Sequence, residues 1–176
     1  MSLGQLWAGW RHEYVTAAGA AEKAGAADAA GTDDDCVFCR IVASGEPRAE
    51  NGVVWRGGLS LAVLNAYPYA SGHLLVTPLR HVSSLAELTT DESVDLWETT
   101  RVAAAALGTA YDPDGLNLGA NLGRAAGAGI PRHLHLHVVP RWSGDTNFMT
   151  SVAGVRVIPQ SLFESWRLLH DSWPRG

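Results

Sequence analysis

Short apolar runs separated by glycine and proline predict a set of strands in the middle of the chain. Val53 to Trp55 and Leu59 to Leu64 are two such runs, and the two glycines between them are typical of a turn that joins two strands. Gly72 to Thr77 is a third apolar run, which ends at Pro78. These segments predict three neighbouring strands.

Two later segments alternate between apolar and polar or small residues, which is the pattern of a strand with one buried face. Leu116 to Asn121 is the first of these segments. His133 to Val139 is the second and has the strictest alternation in the chain. Both segments therefore predict half-buried strands.

Apolar residues at helical spacing predict two main helices. Thr89 is followed three residues later by Glu92, a capping-box pattern that begins a helix running to about Tyr111. The Asp, Pro and Gly residues from Asp112 to Gly115 are typical of a turn and end this helix. An apolar stripe from Leu162 to Trp173 predicts the final helix. Adjacent strands with few helices favour an α+β fold with an antiparallel sheet.

The chain divides by composition into three parts. Residues 1–16 carry Leu and Trp at helical spacing, and we expect an N-terminal docking helix there. Residues 17–35 are rich in Ala, Gly and Asp and contain no large apolar residue, which predicts a flexible linker. Residues 36–176 are the predicted compact domain.

Composition and charge narrow the classes of function. The chain has 176 residues, of which 47% are hydrophobic and 18% charged, as in globular proteins with a core. Its net charge of -5 argues against a nucleic-acid partner, although a small anionic ligand needs only local donors. No apolar run approaches the ~20 residues of a membrane span, and Trp10 to Glu13 interrupts any signal-peptide core. We therefore expect a cytoplasmic protein that binds neither nucleic acid nor a membrane.

Three of the seven histidines, His133, His135 and His137, lie within five residues. Side chains alternate along a strand, so all three imidazoles are expected on one face, with Leu134 and Leu136 in the core. Three interpretations fit this pattern. The histidines form the exposed polar face of a strand in the first interpretation and a zinc site in the second. In the third, one neutral imidazole attacks phosphorus while its neighbours orient it and protonate the leaving group.

A glycine-rich loop precedes the histidines and favours the nucleophilic interpretation. Asn121 to Ile130 contains Gly123, Gly127 and Gly129, whose amides can approach phosphate oxygens closely because no side chain intervenes. A glycine loop alone is weak evidence. A loop that leads directly into three histidines indicates a phosphate-binding site.

The segment from His133 to Val139 resembles the signature of the histidine-triad (HIT) family of nucleotide hydrolases and transferases. Other segments are also similar to that family: Cys36 to Ile41, Leu64 with Asn65, Gly72 to Pro78 with His81, and Asn117 to Gly129. Pro140 to Met149 resembles a bacterial subgroup that includes actinobacterial diadenosine tetraphosphate phosphorylases. The resemblance implies a HIT-like fold, with a five-stranded antiparallel sheet and two main helices. It also implies a homodimer that forms through the long helix.

The resemblance also implies roles for individual residues. His135, the middle histidine, matches the nucleophile, and His137 matches a residue that contacts phosphate and helps to protonate the leaving oxygen. His133 and His73 complete the implied catalytic group. The implied nucleotide contacts are Asn65 at the ribose, and Asn121 with the Gly127 to Gly129 amides at the phosphates. Trp142 follows the triad, where it either stacks on a base or packs against the final helix.

One position departs from the family pattern. Many HIT hydrolases have a Gln four residues before the first triad histidine, whereas this chain has Gly129 there. A side-chain donor to the phosphate chain is therefore missing. The departure favours the phosphorylase-like subgroup.

The implied reaction is cleavage of a phosphoanhydride bond through a nucleotidyl-His135 intermediate. With phosphate as the acceptor, diadenosine tetraphosphate would give ADP and ATP, and this chemistry requires no cofactor. Three alternatives remain. In the first, the chain hydrolyses dinucleoside polyphosphates or nucleoside phosphoramidates. In the second, it is a zinc hydrolase with the triad as ligands. In the third, it is a nucleotide-binding module with little turnover.

Cys36 and Cys39 are the only cysteines and form a C-x-x-C pair. In a reducing compartment such a pair more often binds a metal or acts in redox chemistry than forms a disulfide. The resemblance implies a structural zinc site, because some bacterial relatives add two histidines that match His81 and His133. The alternative is a free thiol pair near the sheet edge.

Overall fold

The computed structural model describes residues 36–145 and 160–174. The helix predicted in residues 1–16 and the linker predicted in residues 17–35 lie outside the described residues, so both stay predictions. Every candidate site residue named above lies within the described ranges.

Five antiparallel strands form one sheet in the order β1-β2-β3-β5-β4. Their bounds are Val53–Arg56 for β1, Ser60–Leu64 for β2, Leu74–Pro78 for β3, Gly115–Gly119 for β4 and Leu136–Arg141 for β5. β2 pairs with β3 along its whole length, from Ser60 opposite Pro78 to Leu64 opposite Leu74. The predicted α+β fold with a five-stranded antiparallel sheet is confirmed.

Three α-helices lie within the described residues: α1 Val37–Ala43, α2 Thr90–Tyr111 and α3 Leu162–Ser172. α2 begins with the predicted capping box, in which the Thr89 hydroxyl accepts from the Glu92 amide and the Glu92 carboxylate accepts from the Thr89 amide. A reciprocal cap between Ser161 and Glu164 begins α3. The seven-residue α1 is not predicted from the sequence, because it is too short to show helical periodicity. None of these described helices is long and apolar enough to cross a membrane.

Alternation along the strands divides the buried apolar residues between the two faces of the sheet. The larger cluster joins one face to α2 and α3 and includes Leu74, Val76, Leu96, Leu107 and Leu169. The smaller cluster joins the other face to α1 and includes Phe38, Leu61, Val63 and Leu75. Leu75 lies opposite His137 in the β3–β5 pair, so His137 lies on the α1 face.

The triad segment differs from its prediction in where the strand starts. β5 begins at Leu136, so residues 133–135 precede it. The backbone of Leu134 bonds outside the ladder, because its amide donates to the Val82 carbonyl at 2.7 Å and its carbonyl accepts from the Thr77 hydroxyl at 2.8 Å. The predicted alternation is nevertheless present. Three apolar side chains of the segment lie in the core on the α2 face: Leu134, Leu136 and Val138.

Candidate active site and metal cluster

The His135 imidazole is held by the backbone of its own segment. Its Nδ1 lies 2.8 Å from the His133 carbonyl oxygen, so Nδ1 carries the proton and donates it. Nε2 is then the unprotonated nitrogen. Burial lowers the pKa of His135, so the ring is neutral at pH 7. A neutral imidazole with an unprotonated Nε2 is a competent nucleophile.

His137 and His73 form a hydrogen-bonded pair next to His135. His73 Nε2 lies 2.9 Å from His137 Nδ1, and the ring centroids of His135 and His137 are 5.2 Å apart. His73 has no exposed surface. Three of the four histidines predicted to be catalytic are therefore in direct contact.

Two donors at His73 Nδ1 decide where the protons of this pair lie. The Tyr69 amide donates to that nitrogen at 3.0 Å. The Asn65 side-chain oxygen accepts from the Tyr67 amide at 2.9 Å, which turns the Asn65 NH₂ group toward His73 Nδ1 at 3.3 Å. His73 Nδ1 is thus an acceptor, and its proton on Nε2 is donated to His137 Nδ1. His137 must then carry its own proton on Nε2.

The Nε2 atom of His137 is buried and has no hydrogen-bond partner within the described residues. Burial, with a smaller contribution from neighbouring His135, lowers the pKa of His137 to about 4. His137 is therefore neutral at pH 7 and presents one N–H donor without a protein acceptor. Buried donors normally find a partner, and a phosphate oxygen of a substrate would supply one.

His133 lies on the same face, but both of its ring nitrogens are engaged elsewhere. Its Nε2 donates to the Pro78 carbonyl oxygen at 3.1 Å. Its Nδ1 lies 3.4 Å from Cys36 Sγ and 3.6 Å from Cys39 Sγ. His81 Nδ1 completes the group at 3.1 Å from Cys39 Sγ. The predicted catalytic role of His133 stays a prediction, and the geometry of its side chain is that of a ligand.

The ligand atoms of Cys36, Cys39, His81 and His133 all lie within 4.8 Å of one another. A tetrahedral zinc ion with Zn–S of ~2.3 Å and Zn–N of ~2.0 Å separates its ligand atoms by about 3.3 to 3.8 Å. Three thiol-to-imidazole separations in this group, of 3.1 to 3.6 Å, are close to that range. The donor set therefore fits a closed four-ligand site. The bond from His133 Nε2 to a carbonyl orients the ring as second partners of ligand histidines do.

The start of α1 brings both cysteines to this cluster. Cys36 directly precedes the helix and Cys39 lies three residues later, so the two thiols share one side of the first turn. Phe38, which is 2% exposed, packs against both His133 and His135, with ring centroids 5.2 and 4.9 Å apart. No role for Phe38 is predicted from the sequence, because a core aromatic residue gives the same pattern.

The glycine-rich loop is partly closed on itself. Gly127 has a φ of 88°, which favours glycine, and its amide donates to the Arg124 carbonyl at 2.8 Å. That amide is used inside the loop, so it is poorly placed to hold a phosphate. Gly129 lines a cleft of about 250 Å³ together with Cys36 and Ile130. Phosphate contacts of Asn121, Gly127 and Gly129 stay predictions.

Trp142 lies against the end of α2. Its ring is 6.2 Å from that of Tyr111, in an edge-to-face arrangement. Tyr111 also packs on Gly72, where an added Cβ would lie 2.6 Å from the Tyr111 ring. Since Gly72 directly precedes His73, this packing supports the loop that carries His73. Stacking of Trp142 on a base stays a prediction.

A family model described as the HIT domain matches residues 46–144, more than half of the chain. The chain belongs to the HIT family. The predicted resemblance is confirmed, and the histidines described above lie within the matched residues.

Similar HIT proteins have been named and solved. The "AP-4-A phosphorylase" of Mycobacterium tuberculosis is 50% identical over 126 residues, which cover 72% of this chain and 65% of that protein. The chain thus spans just under two thirds of the length of that relative. A zinc-bound histidine triad family protein from Mycobacterium smegmatis has a TM-score of 0.65 and 31% identity, covering 80% of this chain and 94% of that one. A hypothetical histidine triad nucleotide-binding protein from Sulfolobus tokodaii has a TM-score of 0.63 and 29% identity, covering 78% and 91%.

Proposed function

We propose that this HIT protein is an enzyme that cleaves a phosphoanhydride bond of a dinucleoside polyphosphate through attack by His135 on phosphorus. The hydrogen bond from His135 Nδ1 to the His133 carbonyl carries the proposal, because it leaves Nε2 unprotonated in a neutral ring. The name of the half-identical relative, AP-4-A phosphorylase, supports diadenosine tetraphosphate as the substrate.

The reaction proceeds in two displacements. In the first, His135 Nε2 forms a bond to phosphorus while the bond from phosphorus to the bridging oxygen breaks, which gives a nucleotidyl-His135 intermediate and a free nucleotide. The ring then carries a positive charge, which its Nδ1–H bond to the His133 carbonyl stabilises. In the second, phosphate attacks phosphorus and His135 departs as a neutral imidazole. Diadenosine tetraphosphate is converted to ADP and ATP.

His137 stabilises the charge that builds on the phosphate oxygens. Its Nε2–H is placed before the substrate binds, since the His73 bond to Nδ1 fixes the position of the proton. A donor that is already oriented costs no reorganisation in the transition state. Gly129 lacks the side-chain donor of many HIT hydrolases, and this departure favours phosphate over water as the acceptor.

Incubation of the pure protein with diadenosine tetraphosphate, with and without inorganic phosphate, tests the proposed activity. Chromatography should show ADP and ATP only when phosphate is present. AMP and ATP formed without phosphate would make the protein a hydrolase. If nucleotide binds but nothing turns over in either condition, the enzyme proposal is wrong and the chain is a nucleotide-binding module.

We further propose that Cys36, Cys39, His81 and His133 hold a structural zinc ion. The fit of the four ligand atoms supports it, as does the zinc-bound relative from Mycobacterium smegmatis. Zinc would supply a cross-link between α1 and the triad segment, and none of the chemistry. Metal analysis of protein purified without chelator should find about one zinc ion per chain. A content far below one would contradict the site.

We also propose a homodimer through α2. Val94 and Trp97 lie three residues apart on this helix and are 64% and 56% exposed, so they form an apolar patch on one helix face. Light scattering should give the mass of two chains for the wild type and of one chain for Trp97→Glu. A wild-type protein that scatters as a single chain would contradict this assignment.

A further inference from the structure

Tyr69 lies over the His73–His137 pair, and neither the sequence pattern nor the reaction proposed above assigns it a role. Its ring centroid is 4.6 Å from that of His73, with the ring planes tilted by 46°. It is 5.8 Å from that of His137, with the planes only 9° from parallel. One aromatic side chain therefore contacts both members of the pair.

The backbone of Tyr69 also acts on this pair. Its amide donates to His73 Nδ1 at 3.0 Å, which keeps the His73 proton on Nε2 and hence the His137 proton on Nε2. Every residue except proline supplies such an amide. The contribution of the ring is thus separable from that of the backbone by substitution of the side chain.

The ring removes part of the imidazole surface of the pair from water. Tyr69 is 45% exposed, so more than half of its own surface lies against the protein. A covered imidazole loses hydration, which disfavours its charged form, and the lowered pKa of His137 is consistent with that. The aromatic and titratable groups that face His137 are His73, His135 and Tyr69, whereas its neighbours on β3 and β4, Leu75 and Gly119, carry no charge.

We propose that Tyr69 is a positioning residue, whose ring holds His137 with its Nε2 proton directed at a phosphate oxygen of the substrate. The identity of that substrate rests on the proposed function. The packing and the proton placement are properties of the protein alone and are measurable without substrate.

The same loop offers a matched control. Tyr67 precedes Tyr69 by two residues and is 87% exposed, and its backbone amide bonds to Asn65 rather than to His73. Tyr67→Ala removes an equal side chain from the same loop without uncovering the imidazoles. Tyr69→Phe retains the ring and loses only the hydroxyl.

The first readout is NMR of isotope-labelled histidines in the full chain, with wild type, Tyr69→Ala, Tyr69→Phe and Tyr67→Ala compared. We expect Tyr69→Ala to raise the pKa of His137 by about one unit toward its ordinary value of ~6.5 and to mix its two tautomers. Tyr69→Phe and Tyr67→Ala should match the wild type. If Tyr69→Ala does not fold, Tyr69→Leu removes the aromatic ring while keeping apolar bulk, with the same expected shift.

The second readout separates kcat from KM with diadenosine tetraphosphate and phosphate. Tyr69→Ala should lower kcat about tenfold with KM within about twofold, because a misplaced donor weakens transition-state binding more than substrate binding. Tyr69→Phe should restore the wild-type kcat.

Two results would overturn the proposal. One is a Tyr69→Ala protein in which the tautomer and pKa of His137 are those of the wild type. The other is a Tyr69→Phe protein as impaired as Tyr69→Ala, which would assign the effect to the hydroxyl. A wild type without turnover would refute the proposed function, while the NMR comparison would still decide the role of Tyr69.

Discussion

His133 and His135 lie two residues apart in the segment that precedes β5, yet their imidazoles are held in opposite ways. The Nε2 atom of His133 donates to the Pro78 carbonyl, and its Nδ1 atom faces the thiols of Cys36 and Cys39. His135 donates from Nδ1 to the His133 carbonyl, which leaves Nε2 unprotonated. The two rings therefore use opposite nitrogens, and the backbone carbonyl to which each ring is bonded fixes which nitrogen is left for another partner.

The two regions share one residue. The side chain of His133 belongs to the proposed metal cluster of Cys36, Cys39, His81 and His133, while its carbonyl orients the proposed nucleophile. Phe38 packs on both rings from the α1 side. All four ligand atoms of the proposed metal cluster face one another, whereas His135 and His137 each keep one ring nitrogen for a substrate in the proposed reaction. We therefore expect substitutions in the two regions to have different consequences.

The largest expected effect is that of His135→Asn. This change should lower kcat by at least about 10³-fold, because no other unprotonated nitrogen replaces Nε2 at phosphorus. Zinc content, thermal stability and nucleotide binding should remain near those of the wild type. Full activity in this variant would show that the nucleophile is a different residue.

Cys39→Ser should have the opposite profile. Loss of a thiolate ligand should release the zinc and lower the free energy of unfolding by about 3 kcal/mol or more, since metal binding is coupled to folding. Calorimetry and metal analysis measure both. Trp166→Phe is the control, because it loses a hydrogen bond from Trp166 Nε1 to the Val53 carbonyl, at 2.7 Å, outside the cluster. It should lower stability with zinc retained. A Cys39→Ser protein with a full complement of zinc would contradict the ligand assignment.

A smaller effect is expected in the pH dependence of stability and of kcat/KM, which reports on His137 in the proposed catalytic group. The pKa of His137 is lowered to about 4, below its ordinary value, so its neutral form is favoured in the folded protein. Its contribution to stability is therefore present above about pH 6.5 and is lost as the pH falls toward 4. We expect the acidic limb of kcat/KM to lie well below pH 6.5, measured over a range in which zinc content is constant. An acidic limb centred at pH 6.5 would contradict a neutral, buried His137.

The smallest expected effect lies beside the metal cluster, at Glu92. Its carboxylate accepts two hydrogen bonds from Arg80, which directly precedes the proposed ligand His81, and that guanidinium lowers the pKa of Glu92 to about 2. The stabilisation is present above pH 4.5 and is lost as the pH falls toward 2. Because the Arg80 side chain is half exposed, solvent screens the pair, and Glu92→Gln should lower stability by at most about 1 kcal/mol at pH 7. Chemical denaturation measures this change, and a loss of zinc or of kcat in this variant would be unexpected.

The sequence predicts the parts of this molecule that local patterns determine. The Thr89 and Glu92 capping box begins α2 where it is predicted, and apolar residues of the triad segment lie in the core. The four-ligand cluster follows from a C-x-x-C pair and a family resemblance, and its members do come together. Local patterns suffice for the cap and the core positions, whereas His81 and His133 are assigned to the cluster through the family resemblance.

The remaining features depend on contacts between segments distant in the chain. The tautomers of His73 and His137 are set by the Tyr69 amide and the Asn65 side chain, and no sequence pattern encodes those bonds. The Gly127 amide bonds inside its own loop, which composition does not reveal. The Tyr69 ring gives no signal in a polar, proline-containing loop. Proton placement and ring packing therefore required the structure.

The most direct test of the central claim, that His135 and His133 have different roles, is to locate the covalent intermediate. The protein is mixed with diadenosine tetraphosphate in the absence of phosphate, and the reaction is stopped rapidly with alkali, in which a phosphorus–histidine bond is stable. The protein is then digested, and its peptides are analysed by mass spectrometry. We predict one adenylyl group on the peptide from the triad segment, with fragmentation assigning it to His135, and none in His135→Asn. An adduct on His133 or His137, or one that persists in His135→Asn, would contradict the account.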